Sequence, residues 1–429
     1  MKILMLYDKG ETYTQTVFDH LDAFQKFSKN NWGYLNIAEL SKEKHNLKNF
    51  QAIFVHYSVR LPLDQITEEF SKILTEFDGF KGLFIQDEYD HFLKTKFWIK
   101  KLNFSLVFTV TPAQSISLVY PNREFPNQIF VNNLTGYAPA DIGIGLSRKN
   151  YIPPSQRDIY IGYRGRSLHS KYGQLGRDKL SIGINVKMYC KASNIEHNIE
   201  WDEQSRIYGD RWFEFIASCR AMLGTESGSN VFDYDGNLKQ TLDGYKKSHS
   251  HLSDDEFYEK FIKPLEHPGL MNQISPRIFE MASASTVMIL YDGAYSNILT
   301  PNIHYLPLKR DISNLPSIIA ALKNSAFIDE MAQRTKEDII NSGKYSYKSF
   351  IAMVDDVLSK YLVKKSTLTI NPLTPILSSI SSAPTRAPAP FFSGNTNLIY
   401  KVGYKTLKLI CNPLPKSIKM MIKRGIGRA

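Results

Sequence analysis

The segment SPRIFEMASAS (residues 275–285) runs directly into TVMILYD (residues 286–292), and this pair decides the fold prediction. Pro276 stands where a helix can begin without losing a hydrogen bond, because the first N–H groups of a helix have no partner inside it. The small residues at 282–284 let such a helix pack closely on a neighbouring layer. The second segment is a short apolar run of the kind found in buried strands. The pair therefore predicts a helix followed by a strand of a parallel sheet.

The same alternation of apolar runs and amphipathic stretches extends in both directions from this pair. KILMLY (residues 2–7), VKMYC (residues 186–190) and HYLPL (residues 304–308) are further predicted strands, the first of them taken as a strand rather than a signal peptide. Strands that alternate with helices indicate βαβ units and parallel sheets. We predict an α/β fold of two Rossmann-like domains that face a central cleft, followed by a flexible basic C-terminal tail.

Breaks in composition set the predicted domain boundaries. A proline-rich break, YIPPS, separates the two domains at residues 151–155, and Ser, Pro and Thr dominate after residue 366. The predicted parts are an N-terminal domain at 1–150, a C-terminal domain at 157–332, closing helices at 333–365, a Pro/Ser-rich linker at 366–396 and a basic amphipathic tail at 397–429.

The overall composition is that of a globular protein, with 43% hydrophobic and 22% charged residues among 429. No apolar run reaches the roughly 18 residues that a membrane span needs. The three cysteines are far apart and lack paired spacing, which argues against a disulfide framework or a zinc site and fits a cytoplasmic compartment. The net charge of +11 is uneven, because the stretch from Ser366 to Ala429 has nine basic residues and no acidic one.

The helix at residues 275–285 also carries the strongest functional signal. A carboxylate one turn into such a helix, here Glu280, can accept hydrogen bonds from the two hydroxyls of a ribose, and the helix N-terminus favours a nearby diphosphate. The run Arg277-Ile278-Phe279-Glu280, followed by small residues and an apolar strand, resembles the donor-site motif of GT-B glycosyltransferases, especially the spore-maturation-type, family-1-like group. The resemblance covers roughly residues 158–322. An exposed ion pair between Glu280 and Arg277 is the structural alternative.

The resemblance implies roles for both charged residues. Glu280 would hold the ribose of a nucleotide sugar, and Arg277 would lie beside the diphosphate. Many retaining members have a second glutamate eight positions before the ribose glutamate, and Asn272 occupies that position here. The pattern therefore leaves the stereochemical outcome open.

A second candidate donor-binding segment opens the C-terminal domain. IGYRGR (residues 161–166) is a strand that ends in a glycine turn, where backbone can approach a phosphate. Arg164 or Arg166 could neutralise the leaving diphosphate, the role that a divalent ion plays in other transferases. Lys171 follows soon after and is included among the donor-binding candidates. A solvated basic loop is the alternative.

A third segment, residues 223–236, follows a predicted strand and is rich in Gly and Ser. Its backbone suits a nucleobase or a phosphate, and we include Glu226 and Ser227 among the donor-binding candidates. It also contains Asp233-Tyr234-Asp235, the D-x-D spacing that can hold a divalent cation. The metal-dependent transferases that use D-x-D have a different type of domain from the one predicted here, and the spacing is common by chance. We therefore predict no metal site and no cofactor besides the donor.

The N-terminal domain offers candidates for a general base. Asp87 and Glu88 end a predicted parallel strand, where ligand sites of α/β folds lie, and either could take the proton of an acceptor hydroxyl. His56, at the end of another strand, competes with them. The alternatives are a structural histidine and a solvated pair of carboxylates.

The basic tail at 397–429 interleaves lysines with aliphatic residues and suits anionic lipid headgroups, at about 1 kcal/mol for each basic residue near the surface. Few aromatic residues are available to stack on bases, so we predict no nucleic-acid partner. A solubilising tail is the alternative.

Together these features predict a metal-independent glycosyltransferase. It would move a sugar from a nucleoside diphosphate donor to a glycan or lipid-linked acceptor in cell-envelope polysaccharide synthesis, at the inner face of the plasma membrane. Two rivals remain open: a nucleotide-sugar epimerase or hydrolase on the same scaffold, and a non-catalytic, membrane-attached glycan-binding protein.

Overall fold

The computed structural model describes residues 1–12, 14–63, 65–139, 151–362 and 381–384. The first half of the chain forms a sheet of six parallel strands in the order β2-β1-β3-β4-β5-β6. Its central strands are buried on both faces, as expected where helices cover a parallel sheet. The strands are β1 (Lys2–Tyr7), β2 (Asn31–Asn36), β3 (Ala52–Val55), β4 (Phe80–Ile85), β5 (Leu106–Thr109) and β6 (Ile129–Asn132).

The order of these strands reverses beside β1. Leu4 of β1 is paired with Gly33 of β2 on one side and with Ile53 of β3 on the other. The crossovers therefore run in opposite directions from β1, and a crevice opens at the carboxyl ends of β1 and β3, where α/β proteins bind ligands. The helices of this half are α1 (Gln15–Phe27), α2 (Glu68–Glu76), α3 (Phe92–Lys101) and α4 (Ile116–Val119).

The second half repeats the plan with five parallel strands in the order β11-β10-β9-β7-β8. The order reverses between β7 and β9, so the second crevice lies at the carboxyl ends of these two strands. The strands are β7 (Ile159–Arg164), β8 (His197–Glu200), β9 (Cys219–Gly224), β10 (Val287–Tyr291) and β11 (Leu306–Leu308). Both halves confirm the predicted α/β fold of two Rossmann-like units.

One predicted strand of the second half is wrong. VKMYC, at residues 186–190, is the last part of helix α5, which runs from Gly173 to Ala192. Ile182, Val186 and Cys190 are fully buried at a spacing of four, which is a helical period that a five-residue apolar run does not reveal by itself. The other helices of this half are α6 (Asp210–Ser218), α7 (Leu238–Ser248), α8 (Asp254–Phe257), α9 (Pro276–Ser283), α10 (Leu315–Leu322) and α11 (Ser325–Lys336).

The chain then returns to the first half. Helix α12 (Tyr347–Leu362) packs against α1, and the Asp355 carboxylate accepts hydrogen bonds from Ser28 Oγ at 2.7 Å and from the backbone N–H of Lys29 at 2.7 Å. Ser381 exchanges two backbone hydrogen bonds with Tyr34 of β2, each 3.0 Å long. The closing helix therefore joins the two halves through packing and hydrogen bonds.

A second connection between the halves lies on the donor side of the fold. Phe232 and Met271, from segments that follow β9 and precede α9, are buried in the hydrophobic core of the first half. Lys171 Nζ lies 2.6 Å from Asp90 of the first half and 3.6 Å from Asp233. These contacts hold the 230–236 segment of the second half against the start of α3.

The predicted basic tail lies outside the described residues, as does the predicted linker except for 381–384. In the part of the chain that the structure covers, no helix is both long and apolar enough to cross a bilayer.

Candidate functional site

Three cations meet at the second crevice. Burial, followed by the positive charges of Arg166 and Arg277, lowers the pKa of the Lys179 amine to about 8. The Lys179 amine also donates a hydrogen bond to the hydroxyl of Ser227, at 3.1 Å. Among the described residues, none of the three cations forms a salt bridge. Positive charge is therefore concentrated at the carboxyl end of β7, as an anion site requires, and the nearest opposing charges are those of Asp87, which acts on Lys179, and Glu280, which interacts with Arg277.

The glycine turn after β7 explains how Lys179 reaches this position. A Cβ atom on Gly165 would lie 2.9 Å from the Lys179 carbonyl oxygen and 2.6 Å from the ring of Tyr163. The hydroxyl of Tyr163 donates to the same carbonyl at 2.7 Å. Glycine thus lets α5 approach the strand closely, and that approach brings the Lys179 side chain to the crevice.

Arg277 enters the crevice from the first turn of α9. Its guanidinium carbon lies 5.6 Å from the ring centroid of Tyr163 and 5.1 Å from that of Trp212. Both distances are in the range of cation–π contacts. The two aromatic rings hold the guanidinium in place without neutralising its charge.

Glu280 stands one turn after Arg277 and is partly buried. Its Oε2 accepts a hydrogen bond from the indole N–H of Trp212 at 2.8 Å. Burial raises the pKa of the Glu280 carboxyl, and the Trp212 N–H and the Arg277 charge oppose that rise. The charge of Asp19, on α1 of the first half, contributes to the rise. Glu280 therefore lies close to the first half, on the side of α9 that faces the gap between the halves.

The start of α9 touches the first half directly. A Cβ atom on Gly136 would lie 3.0 Å from the Pro276 ring and 3.4 Å from the Thr16 side chain in α1. Thr135 donates a hydrogen bond to the carbonyl oxygen of Ile274. The first turn of α9 is therefore part of the junction between the two halves.

Arg164 is not part of the cluster of three cations. Its guanidinium donates four hydrogen bonds, to the carbonyl oxygens of Ser205, Tyr163 and Asn198 and to the side-chain oxygen of Asn198, at 2.8–2.9 Å. It also lies 4.3 Å from the ring centroid of Phe215. Four of its five N–H donors are thus used within the second half, and the structure brings Arg166 rather than Arg164 to the cation cluster.

Lys171 and Glu226 also have partners within the protein. Lys171 pairs with Asp90 and connects the two halves. Glu226 is buried; one oxygen accepts from the backbone N–H of Tyr295 at 2.8 Å, and the other accepts from Asn272 Nδ2 at 2.6 Å. Both residues are therefore engaged in contacts within the protein. Asn272, a partner of Glu226, occupies the position where many retaining members have the second glutamate.

The two neighbouring acids at the end of β4 have different surroundings. Asp87 is exposed, adopts a left-handed backbone conformation with φ 57°, and accepts a hydrogen bond from the hydroxyl of Tyr89 at 2.6 Å. Glu88 is 1% exposed and accepts a hydrogen bond from Thr109 in the core. Burial raises the pKa of Glu88 to about 8. Of the two acids, Asp87 is exposed and lines the cavity of the first half, whereas Glu88 is buried in the core.

His56 is fully buried. Its Nδ1 accepts a hydrogen bond from the backbone N–H of Ser58 at 3.0 Å, and its Nε2 lies 3.0 Å from Nδ1 of His20. Burial lowers the pKa of His56 well below its usual value and that of His20 to about 3. Both ring nitrogens of His56 therefore have partners inside the core, as expected for a structural histidine.

A cavity of about 230 Å³ opens at the first crevice. Its walls come from the loops after β1, β3 and β4, and they include Glu11, Tyr57, Arg60 and Asp87. Asp90 also lines it and binds Lys171 of the second half, so the cavity lies beside the gap between the halves.

The D-x-D residues have separate partners. Asp233 is 2% exposed and accepts hydrogen bonds from the backbone N–H groups of Gly236 and Leu238 at 2.8 and 3.3 Å. Asp235 binds Asn237. Both carboxylates shape the turn that leads into α7.

Two members of the site are not among the residues predicted from the sequence: Lys179 of α5 and Trp212. Trp212 belongs to α6, and 68 residues separate it from Glu280. No local motif marks it, because the contact arises only when α6 and α9 pack side by side.

No protein-family model matches this chain, and no curated protein matches it. Solved structures similar to it include Anabaena HepE in complex with UDP and glucose, with 10% identity over 84% of this chain and 100% of that one and a TM-score of 0.46. T4 phage BGT with its UDP-glucose substrate matches with 11% identity over 84% and 99% of the two chains, at a TM-score of 0.46. A sucrose-phosphate synthase from Thermosynechococcus elongatus matches with 10% identity over 85% and 100%, at 0.42. At these identities no residue role is carried over from them.

Proposed function

We propose that this protein is a glycosyltransferase that uses a nucleoside diphosphate sugar. The observation that carries the proposal is the cluster of Arg166, Lys179 and Arg277 with Glu280 one turn away, at the junction of the two halves. The cations suit the two phosphates, and the carboxylate suits the two ribose hydroxyls.

The cluster also suits the chemistry of transfer. The bond between the sugar's anomeric carbon and the diphosphate oxygen breaks, and a bond from the same carbon to an acceptor oxygen forms. Negative charge grows on the departing diphosphate, and the three cations stabilise that charge. We propose on this basis that the enzyme works without a metal ion and without a cofactor besides the donor.

Trp212 supports the role of Glu280. Because the indole N–H holds one carboxylate oxygen, the orientation of the carboxylate is set before the nucleotide arrives. The other oxygen is left to accept from a ribose hydroxyl. Trp212 is a positioning residue in this proposal.

The acceptor hydroxyl must lose a proton as it attacks. Asp87 is exposed at the wall of the first-half cavity, and its charge acts on Lys179 across the gap. We assign it as the general base in preference to Glu88 and His56, which are buried. The acceptor in this proposal is a glycan or a lipid-linked sugar of cell-envelope polysaccharide synthesis. The basic residues of the 397–429 tail would keep the enzyme at the inner face of the plasma membrane.

Turnover of nucleotide sugars tests the proposal. The full-length protein is incubated with a panel of nucleoside diphosphate sugars, together with membrane extracts as acceptor source, and release of nucleoside diphosphate is measured alongside analysis of the sugar products. We expect one donor to be consumed with extension of an acceptor, and Glu280→Gln to lower kcat/KM by roughly tenfold to hundredfold through loss of charge-assisted hydrogen bonds.

The matched control is Glu214→Gln, at an exposed position in the neighbouring helix α6. Its activity should equal that of the wild type. Isomerised or hydrolysed donor without acceptor extension would favour an epimerase or hydrolase instead. Absence of binding to every nucleoside diphosphate in calorimetry would favour the non-catalytic rival.

A further inference from the structure

Large apolar side chains are exposed together on helices α3 and α4 of the first half and on the segment of the second half that packs beside α3. Leu93 and Phe97 of α3 are 55% and 52% exposed, and Leu118 of α4 is 71% exposed. Tyr234, which packs beside the start of α3, is 50% exposed. Among the described residues, seven large apolar side chains are at least half exposed, and these four are among them. Single exposed apolar residues are ordinary, whereas a cluster of them marks an interaction surface.

The four side chains form one surface. Leu93 and Phe97 are one helical turn apart on α3, and the backbone N–H of Leu93 donates to the Tyr234 carbonyl at 2.9 Å. Tyr234 and Leu118 line the same groove, of about 650 Å³, whose walls also include Phe92. The rings of Phe92 and Tyr234 are 6.0 Å apart. We call Leu93, Phe97, Leu118 and Tyr234 the α3–α4 face.

Positive charge borders the α3 side of this face, whereas the groove beside Tyr234 also contains Glu266. Residues 91–139 contain four lysines and one arginine but a single acid, Glu124. Lys96 and Lys100 share Glu124, at 3.2 and 3.4 Å, which leaves an excess of positive charge. The Lys101 amine lies 5.4 Å from the ring centroid of Phe97 and 5.0 Å from that of Trp98, in the range of cation–π contacts.

We propose that the α3–α4 face docks on an anionic lipid surface. Exposed aromatic and aliphatic side chains with lysines around them match the region between acyl chains and negatively charged headgroups. The contact is made by the folded body of the protein and is separate from the one proposed for the tail. Asp90, which lines the first-half cavity, immediately precedes His91 and Phe92 at the start of α3, so docking here brings that cavity close to the lipid surface.

A fluorescent probe on this face reports the contact directly. Leu118→Cys is made in full-length protein that also carries Cys411→Ser, because Cys190 and Cys219 are buried. An environment-sensitive dye at position 118 should shift to shorter wavelength with vesicles of equal parts phosphatidylglycerol and phosphatidylcholine, and should stay unchanged with phosphatidylcholine alone. Met188→Cys in the same background is the matched control, since Met188 is an apolar residue of α5 that is 66% exposed.

A second measurement uses binding strength. Phe97→Ser with Leu118→Ser should reduce partition onto the mixed vesicles by roughly tenfold, whereas Met188→Ser should not. The inference is overturned if the dye at 118 stays in water while the tail holds the protein on vesicles, or if the dye at 188 shifts equally. A shift that depends on protein concentration without vesicles would overturn it in favour of self-association. None of these readouts involves a nucleotide, so the outcome is independent of the proposed enzyme activity.

Discussion

Lys179 carries its positive charge among neighbours of the same sign. Its amine is largely surrounded by protein, and Arg166 and Arg277 lower its pKa further, to about 8. A bound diphosphate would reverse this situation, because two phosphates favour the protonated amine. The protonation of Lys179 should therefore make nucleotide binding depend on pH.

The affinity for a nucleoside diphosphate should fall as pH rises through about 8. Below that value the amine is protonated before the ligand arrives, whereas above it binding must include uptake of a proton. Lys179→Met should bind about tenfold to hundredfold more weakly at neutral pH and should lose this pH dependence. Calorimetric titration across the range, with Lys191→Met on the same helix as control, measures both effects. An unchanged pH dependence in Lys179→Met would assign it to another group.

The sequence predicts a site residue when that residue belongs to a short local motif. Arg277 and Glu280 belong to one helix with a readable motif, and Arg166 follows a glycine turn, so short patterns identify them. Lys179 and Trp212 reach the site only through tertiary packing, and neither belongs to a motif. Asp87 and Glu88 are equivalent in the sequence, but both follow β4 in a turn where Asp87 has φ 57°, so only the structure separates the exposed acid from the buried one.

At the scale of elements, strand–helix alternation predicts the two sheets because buried parallel strands are apolar along their whole length. It misplaces VKMYC because a short apolar run fits the last turns of a buried helix equally well. It also misses β2, whose polar ends flank a buried centre. The order of the strands, and with it the position of each crevice, comes only from the fold.

The segment that carries Ser227 should depend on glycine at position 228. Gly228 has φ 93°, and a Cβ atom there would lie 2.1 Å from the carbonyl oxygen of Met271. Gly228→Ala should therefore lower the free energy of unfolding by about 2–3 kcal/mol and weaken nucleotide binding. Urea denaturation measures the first effect and calorimetry the second.

Gly244→Ala is the matched control, because Gly244 is inside helix α7 with no atom within 4 Å of a Cβ position. It should stabilise the protein by about 0.5–1 kcal/mol, since alanine restricts the unfolded chain. Equal effects of the two substitutions would show that the backbone conformation at 228 does not matter.

At the scale of the whole molecule, both sheets have their crevices at a reversal of strand order. The second crevice holds the three cations, and the first holds the cavity with Asp87. The two halves meet at the start of α9, where Thr135 donates a hydrogen bond to Ile274 and Gly136 packs against Pro276, and the charge of Asp87 acts on Lys179. Helix α12, which packs against α1, and the ion pair between Lys171 and Asp90 connect the two halves.

The most direct test of the account compares a nucleoside diphosphate with its analogue that lacks both ribose hydroxyls, by calorimetry on the wild type and on Glu280→Gln. The wild type should prefer the ribose form by roughly tenfold or more, because its carboxylate accepts hydrogen bonds from those hydroxyls. Glu280→Gln should bind the two ligands with nearly equal, weakened affinity. If Glu280→Gln keeps the full preference of the wild type, the carboxylate does not hold the ribose, and the proposed donor site is contradicted.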